Sequence, residues 1–173
     1  MKSHKTPLLV SGYLFLMVIA CTGSRQIEIA PPAGYREIEK TEYTSYWIQF
    51  QEQYPHPDWA EGDYDGDGKT DRANMWIRAD GIGWVLMAYL SSQPTEPIEL
   101  FRTDRRPWSR VVCTIPPGEH KTLRYYGIGL GGPDTTTVIT LICDAINLAR
   151  FESEDNVFVW DKDKREFHRV EMP

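Results

Sequence analysis

Residues 63–71 read Asp-Tyr-Asp-Gly-Asp-Gly-Lys-Thr-Asp, and this stretch organises the rest of the chain. Its carboxylates stand at alternate or near-alternate positions, as in loops that give Ca²⁺ its oxygen ligands, of which the ion takes about six to eight. A glycine stands at the sixth position, where such a loop turns sharply with positive φ. The predicted ligands, in loop order, are Asp63, Asp65, Asp67, the Lys69 carbonyl and Asp71. We therefore predict a metal site over residues 63–74, with structural Ca²⁺ as its cofactor.

A surface turn rich in aspartate and glycine, without a metal, is the alternative interpretation of this stretch. Four carboxylates within nine residues repel one another. Neighbouring basic side chains relieve this repulsion only in part, whereas a bound cation relieves it directly. The bidentate glutamate that ends an EF-hand loop is missing, because Asn74 stands at that position. The stretch thus resembles the DxDxDG loops of integrin-like and FG-GAP/VCBS-type proteins more than a full EF-hand.

The first 20 residues resemble the signal peptide of a bacterial lipoprotein. Lys2 and Lys5 precede an apolar run that is shorter than the roughly 20 residues of a membrane span. The run ends in Val-Ile-Ala-Cys, which resembles a lipobox, and the resemblance implies cleavage before Cys21 and attachment of acyl lipid such as palmitate to it. Because Thr22 and not aspartate follows, the resemblance implies an outer-membrane lipoprotein facing the periplasm. An ordinary signal peptide with a chance cysteine is the alternative.

Composition limits the domain organisation and the partners. Residues 21–35 contain few large apolar side chains and include Pro31-Pro32, which predicts a lipidated tether before a single domain over residues 36–173. The formal charge is −6, and it becomes −8 once Lys2 and Lys5 leave with the signal. This acidity argues against nucleic acid as a partner. A Gly-x-Gly-x-x-Gly pattern at 127–132 lacks a βαβ setting, so we predict no nucleotide site.

Two cysteines remain once Cys21 is assigned to lipid. Cys113 and Cys143 form an even pair in a chain predicted to be exported, where disulfides persist. A bridge between them would close a loop of about 30 residues and stabilise the domain by about 3–4 kcal/mol. We predict this disulfide, with two buried reduced thiols as the alternative.

The predicted fold class is α+β. Aromatic side chains recur at helical spacing from Arg36 to Tyr54, which predicts a helix that Pro55 ends. The chain beyond the aspartate loop is typical of strands, and Asp80-Gly81 predicts a hairpin turn. The predicted strands are 74–78, 83–90, 98–101, 111–115, 137–142, 145–151, 157–160 and 166–170. We expect one N-terminal helix packed on a mainly antiparallel β-sheet of about six to eight strands.

Three stretches together resemble one family. They are residues 62–71, residues 115–122 (Ile-Pro-Pro-Gly-Glu-His-Lys-Thr), and Phe-Glu-Ser at 151–153 with Val-Phe-Val-Trp-Asp at 157–161. In this order they resemble small, uncharacterised exported proteins of Gram-negative bacteria that pair one DGDGK-type loop with a C-terminal hairpin. The resemblance covers about residues 58–170 and implies an architecture without an activity.

No catalytic residues are predicted, and we expect no enzyme. The chain has neither a Gly-x-Ser-x-Gly elbow nor a His-Glu-x-x-His helix, and His56, His120 and His168 stand apart in polar or proline-rich surroundings. The expected function is a lipid-anchored, calcium-stabilised binding or accessory module of the cell envelope, partnered with the membrane through Cys21 and with an envelope protein. Two alternatives stay open: an immunity or inhibitor lipoprotein against an envelope-targeting toxin, and a hydrolase with a dispersed site.

Overall fold

The computed structural model describes residues 29–107, 109–123, 136–151 and 155–172. The signal peptide, Cys21, most of the tether, the glycine-rich stretch and Glu152-Ser153 lie outside these residues. The described chain folds into strands in the order β1 (Tyr35–Arg36), β2 (Trp59–Gly62), β3 (Asp71–Arg78), β4 (Trp84–Tyr89), β5 (Ile98–Thr103), β6 (Arg110–Ile115), β7 (Gly118–Leu123), β8 (Thr136–Leu141), β9 (Ala145–Arg150), β10 (Asp155–Asp161) and β11 (Glu166–Met172).

The strands form three antiparallel sheets. The first sheet has the order β1-β3-β4-β5, with β2 also paired to β3. The second has the order β11-β10-β9-β6, and β7 and β8 form a separate hairpin. Alternate residues of both larger sheets meet in one core, as expected where two sheets cover each other's apolar faces. The shared core includes Met75, Leu86, Ala88, Ile146, Leu148 and Phe158.

The predicted N-terminal helix is wrong, and with it the α+β class: the described chain is mostly strand. Residues 36–54 hold only a 3-10 turn at Lys40–Glu42 and a five-residue helix, α1, at Ser45–Gln49. A continuous helix is interrupted because Thr44 takes an extended conformation and its side chain caps α1, accepting a bond from the backbone N–H of Trp47. Capping residues inside the segment therefore override the helical spacing of its aromatics.

The aromatic side chains of this segment do not line one face of a helix. They are held by contacts with residues of the second sheet and of the chain that follows β9. Trp47 is almost fully buried, and its indole Nε1 donates to the Arg110 carbonyl at 2.6 Å. Tyr46 and Phe50 stack on Phe151, with ring centroids 5.8 and 4.7 Å away. The N-terminal segment thus closes over the edge strand of the second sheet.

The first sheet is apolar on both faces. One face packs on the second sheet, and residues at the end of the predicted tether cover part of the opposite face. Ile29 and Tyr35 pack against a cluster of Trp76, Val85, Met87 and Tyr89. The Tyr89 hydroxyl also donates to the Ala30 carbonyl at 3.0 Å. Residues 29–35 therefore belong to the folded domain. Within the described ranges, no helix is long and apolar enough to cross a membrane.

Candidate metal centre

The aspartate loop is the connection of a hairpin between β2 and β3. Gly62 pairs with Asp71 at the point where the two strands part, so residues 63–70 form the loop and Asp71 opens β3. Gly66 and Gly68 adopt φ values of 72° and 79°, which a side chain would strain. These glycines turn the chain so that its carboxylates face inward.

Asp71 is the centre of the loop. Its side chain is fully buried, and Oδ2 accepts the backbone N–H groups of Tyr64 and Asp65 at 2.9 and 3.3 Å. Its Oδ1 accepts the N–H of Ser91 at 2.7 Å. Three backbone donors thus fold the loop around one carboxylate and tie it to the chain that follows β4.

Asp63, Asp65 and Asp71 converge, as the sequence predicts for metal ligands. One carboxylate oxygen of each lies within 4.8 Å of those of the other two. Oδ2 of Asp63 accepts the Gly68 N–H at 3.0 Å, but Oδ1 is buried and has no hydrogen-bond partner among the described residues. An unpartnered buried oxygen costs about 1–3 kcal/mol, and a cation in the cluster would remove that cost.

Asp67, also predicted as a ligand, lies outside this cluster. Asp67 accepts the Lys69 N–H at 2.8 Å, the Lys69 ammonium at 3.1 Å and the Ser91 hydroxyl at 3.0 Å. Although partial burial opposes ionisation, these donors hold the pKa of Asp67 below its ordinary value. Asp67 therefore pairs with Lys69, and metal ligation by Asp67 or by the Lys69 carbonyl stays a prediction. Asn74, at the twelfth position, is buried in β3 and bonds to Arg72 instead.

Residues distant in the sequence complete the site. Ser92 donates its hydroxyl to Oδ2 of Asp65 in a short hydrogen bond. Asp144, just before β9, accepts the Asp63 N–H at 2.9 Å, and its own N–H donates to the Asp63 carbonyl at 3.1 Å. The serines could be found from the hairpin register, because the end of β4 lies beside the start of β3. Asp144 comes from the other sheet and leaves no local signal.

The electrostatics of the cluster favour a cation. Among the described residues, no lysine or arginine forms an ion pair with Asp63, Asp65 or Asp71. Burial raises the pKa of Asp71 to about 6, and the Asp65 charge adds to the rise against the opposing backbone hydrogen bonds. Burial and the surrounding aspartates likewise raise the pKa of the Cys143 thiol.

The predicted disulfide between Cys113 and Cys143 is not formed, and both residues are free thiols. Cys113 lies in the middle of β6, where it faces Asn147 of β9 across the sheet. Cys143 lies in the turn after β8 and donates its thiol to the Tyr64 carbonyl at 3.2 Å. The two cysteines thus lie in different parts of the fold: Cys113 is in the β6–β9 strand pair, and Cys143 contacts the aspartate loop.

Comparisons of the chain with protein-family models, curated proteins and solved structures find no match. The fold and the site therefore rest on the residues themselves.

Proposed function

We propose that the chain is a lipid-anchored binding or accessory module of the bacterial envelope, whose β-domain is stabilised by a structural Ca²⁺ in the aspartate loop. The observation that supports the metal site is the convergence of Asp63, Asp65 and Asp71 within 4.8 Å, with one buried oxygen of Asp63 that has no partner within the described part of the chain. The membrane anchor is supported by the lipobox-like ending at Cys21.

The donor set fits a hard cation. Three carboxylates offer oxygen only, and Ca²⁺ accepts irregular oxygen cages completed by water at about 2.3–2.6 Å. Mg²⁺ demands a tighter octahedron and keeps its waters, so it should bind this loop more weakly. Such an ion supplies two positive charges to the three carboxylates, and this attraction fixes the loop and the start of β3. The role is therefore structural.

Thermal melting in chelator and in millimolar calcium tests the proposal. With the bidentate glutamate missing, we expect a Kd on the order of 10⁻⁴ M, as in extracellular modules. Millimolar calcium would then add about 1.4 kcal/mol to the free energy of unfolding, which is a rise of a few degrees in Tm. Equal melting temperatures in the two buffers would refute the proposal.

Two variants separate the cluster from its neighbours. Asp65→Asn should abolish the calcium-dependent shift, because it removes a charge from the converging set. Asp67→Asn is the matched control: it removes the same charge from the same loop, but Asp67 already pairs with Lys69, so most of the shift should persist. Loss of the shift in both variants would contradict this ligand set.

A further inference from the structure

A pocket away from the aspartate loop is lined by positive charges, although the chain as a whole is acidic. It has a volume of about 240 Å³ and lies beside the end of β5 and the start of β6. Four guanidinium groups line it, and none of the described residues contributes a carboxylate to its lining. They belong to Arg105, Arg106, Arg110 and Arg150. Aromatic rings of Trp84 and Phe101, stacked with centroids 5.1 Å apart, form its floor.

Arg110 is the central residue of this arginine pocket. Its guanidinium carbon lies 5.3 Å from the centroid of the Phe101 ring. Its Nη1 is buried and has no hydrogen-bond partner among the described residues. A buried donor without an acceptor is costly, and more so when it belongs to a charged group. The Arg110 guanidinium thus lines the pocket with one of its nitrogens lacking an acceptor among the described residues.

Two acidic side chains near the pocket, Asp155 and Asp104, form hydrogen bonds or an ion pair with residues other than Arg110. Both carboxylate oxygens of Asp155 accept hydrogen bonds at 3.0 Å, one from the Asn147 amide and the other from the Arg150 backbone N–H. Asp104 is paired with Arg78 at 2.7 Å. Burial and then the charges of Arg150 and Arg169 lower the pKa of Arg110, against the opposing charge of Asp155.

We propose that the arginine pocket binds a phosphate group, free or as part of a larger ligand, with Arg110 and Arg150 as its principal donors. Planar guanidinium forks match the oxygens of phosphate, and a phosphate near neutral pH carries about −1.5 to −2 charges, which suits several arginines better than a carboxylate does. Because the whole chain is acidic, binding depends on this local set of charges.

Calorimetric titration of inorganic phosphate into the full chain, at constant ionic strength, tests the pocket. We expect saturable binding that acetate at equal concentration does not reproduce. Arg110→Gln and the exposed Arg150→Gln should each weaken phosphate binding about tenfold, because each removes one charge-assisted contact. Arg102→Gln is the matched control, since this exposed arginine of β5 pairs with Glu99 outside the pocket.

Each result decides the proposal. Absence of saturable phosphate binding overturns it, as does equal weakening by the control or equally tight binding of acetate. If Arg110→Gln does not fold, Arg150→Gln alone gives the answer, because its side chain is on the surface.

Vesicles identify the source of the phosphate. Phosphatidylcholine vesicles with and without phosphatidic acid, in chelator so that no calcium bridges lipid and protein, should differ in retention if the ligand is a lipid headgroup. That difference should vanish in Arg150→Gln. Equal retention, together with saturable binding of free phosphate, supports a soluble phosphate ligand.

Discussion

Acidification should stabilise the calcium-free protein through Asp71. Its pKa is about 6 in the folded chain, against an ordinary value of 3.8 for the unfolded chain. The folded state therefore binds a proton at Asp71 more tightly than the unfolded chain does. The stability that this proton contributes is lost as the pH rises through about 6. Linkage predicts that the Asp71 contribution to the free energy of unfolding grows by about 1.4 kcal/mol between about pH 7.5 and about pH 5.

Thermal melting in chelator across this pH range measures the effect. The expected rise in Tm is about 3–6 °C for a domain of this size. The quantity to compare is the stability of the parent minus that of Asp71→Asn, which cannot titrate at that position, so that contributions of all other groups cancel. A difference that is flat between the two pH values, or that falls on acidification, would refute the reasoning. With calcium bound, protons compete for Asp71, so the calcium-dependent shift should shrink over the same range.

Three further outcomes are expected. Alkylation of denatured, unreduced protein should modify both Cys113 and Cys143, and protection of both would restore the disulfide that the structure lacks. Gly62→Ala should destabilise the protein by about 1–3 kcal/mol in denaturant unfolding, because its new methyl group would lie 2.8 Å from a carboxylate oxygen of Asp144; an unchanged midpoint would contradict this close approach. Cys21→Ser should abolish labelling by a fatty-acid probe and release the protein from the membrane, whereas unchanged labelling would exclude the proposed anchor.

The hairpins could be predicted from the sequence because their signals are local. Asp80 and Gly81 form the turn between β3 and β4, where Gly81 has a φ of 74° and Asp80 accepts the Ile82 N–H. The terminal pair β10 and β11 likewise flanks a polar turn at 162–165. The prediction of an N-terminal helix failed because the spacing of the aromatics indicates only which residues are buried. Here they are buried by contacts with Arg110 and Phe151, more than 60 residues away in the chain.

The candidate site shows the same division between local and distant signals. The spacing of the aspartates predicts the convergence of Asp63, Asp65 and Asp71, because the turns between them are short and set by glycine. It does not predict that Asp67 pairs with Lys69, since both arrangements satisfy the same sequence. Nor does it predict Asp144, which reaches the loop only once the two sheets have packed.

The central claim is that Asp63, Asp65 and Asp71 share one cation, and a crystal structure of the protein grown in millimolar calcium tests it most directly. An anomalous difference map should show one ion with oxygens of all three carboxylates at about 2.3–2.6 Å, including the Oδ1 of Asp63 that has no partner in the described ranges. A loop without anomalous density at that calcium concentration, or an ion ligated by Asp67 in place of Asp71, would contradict the claim.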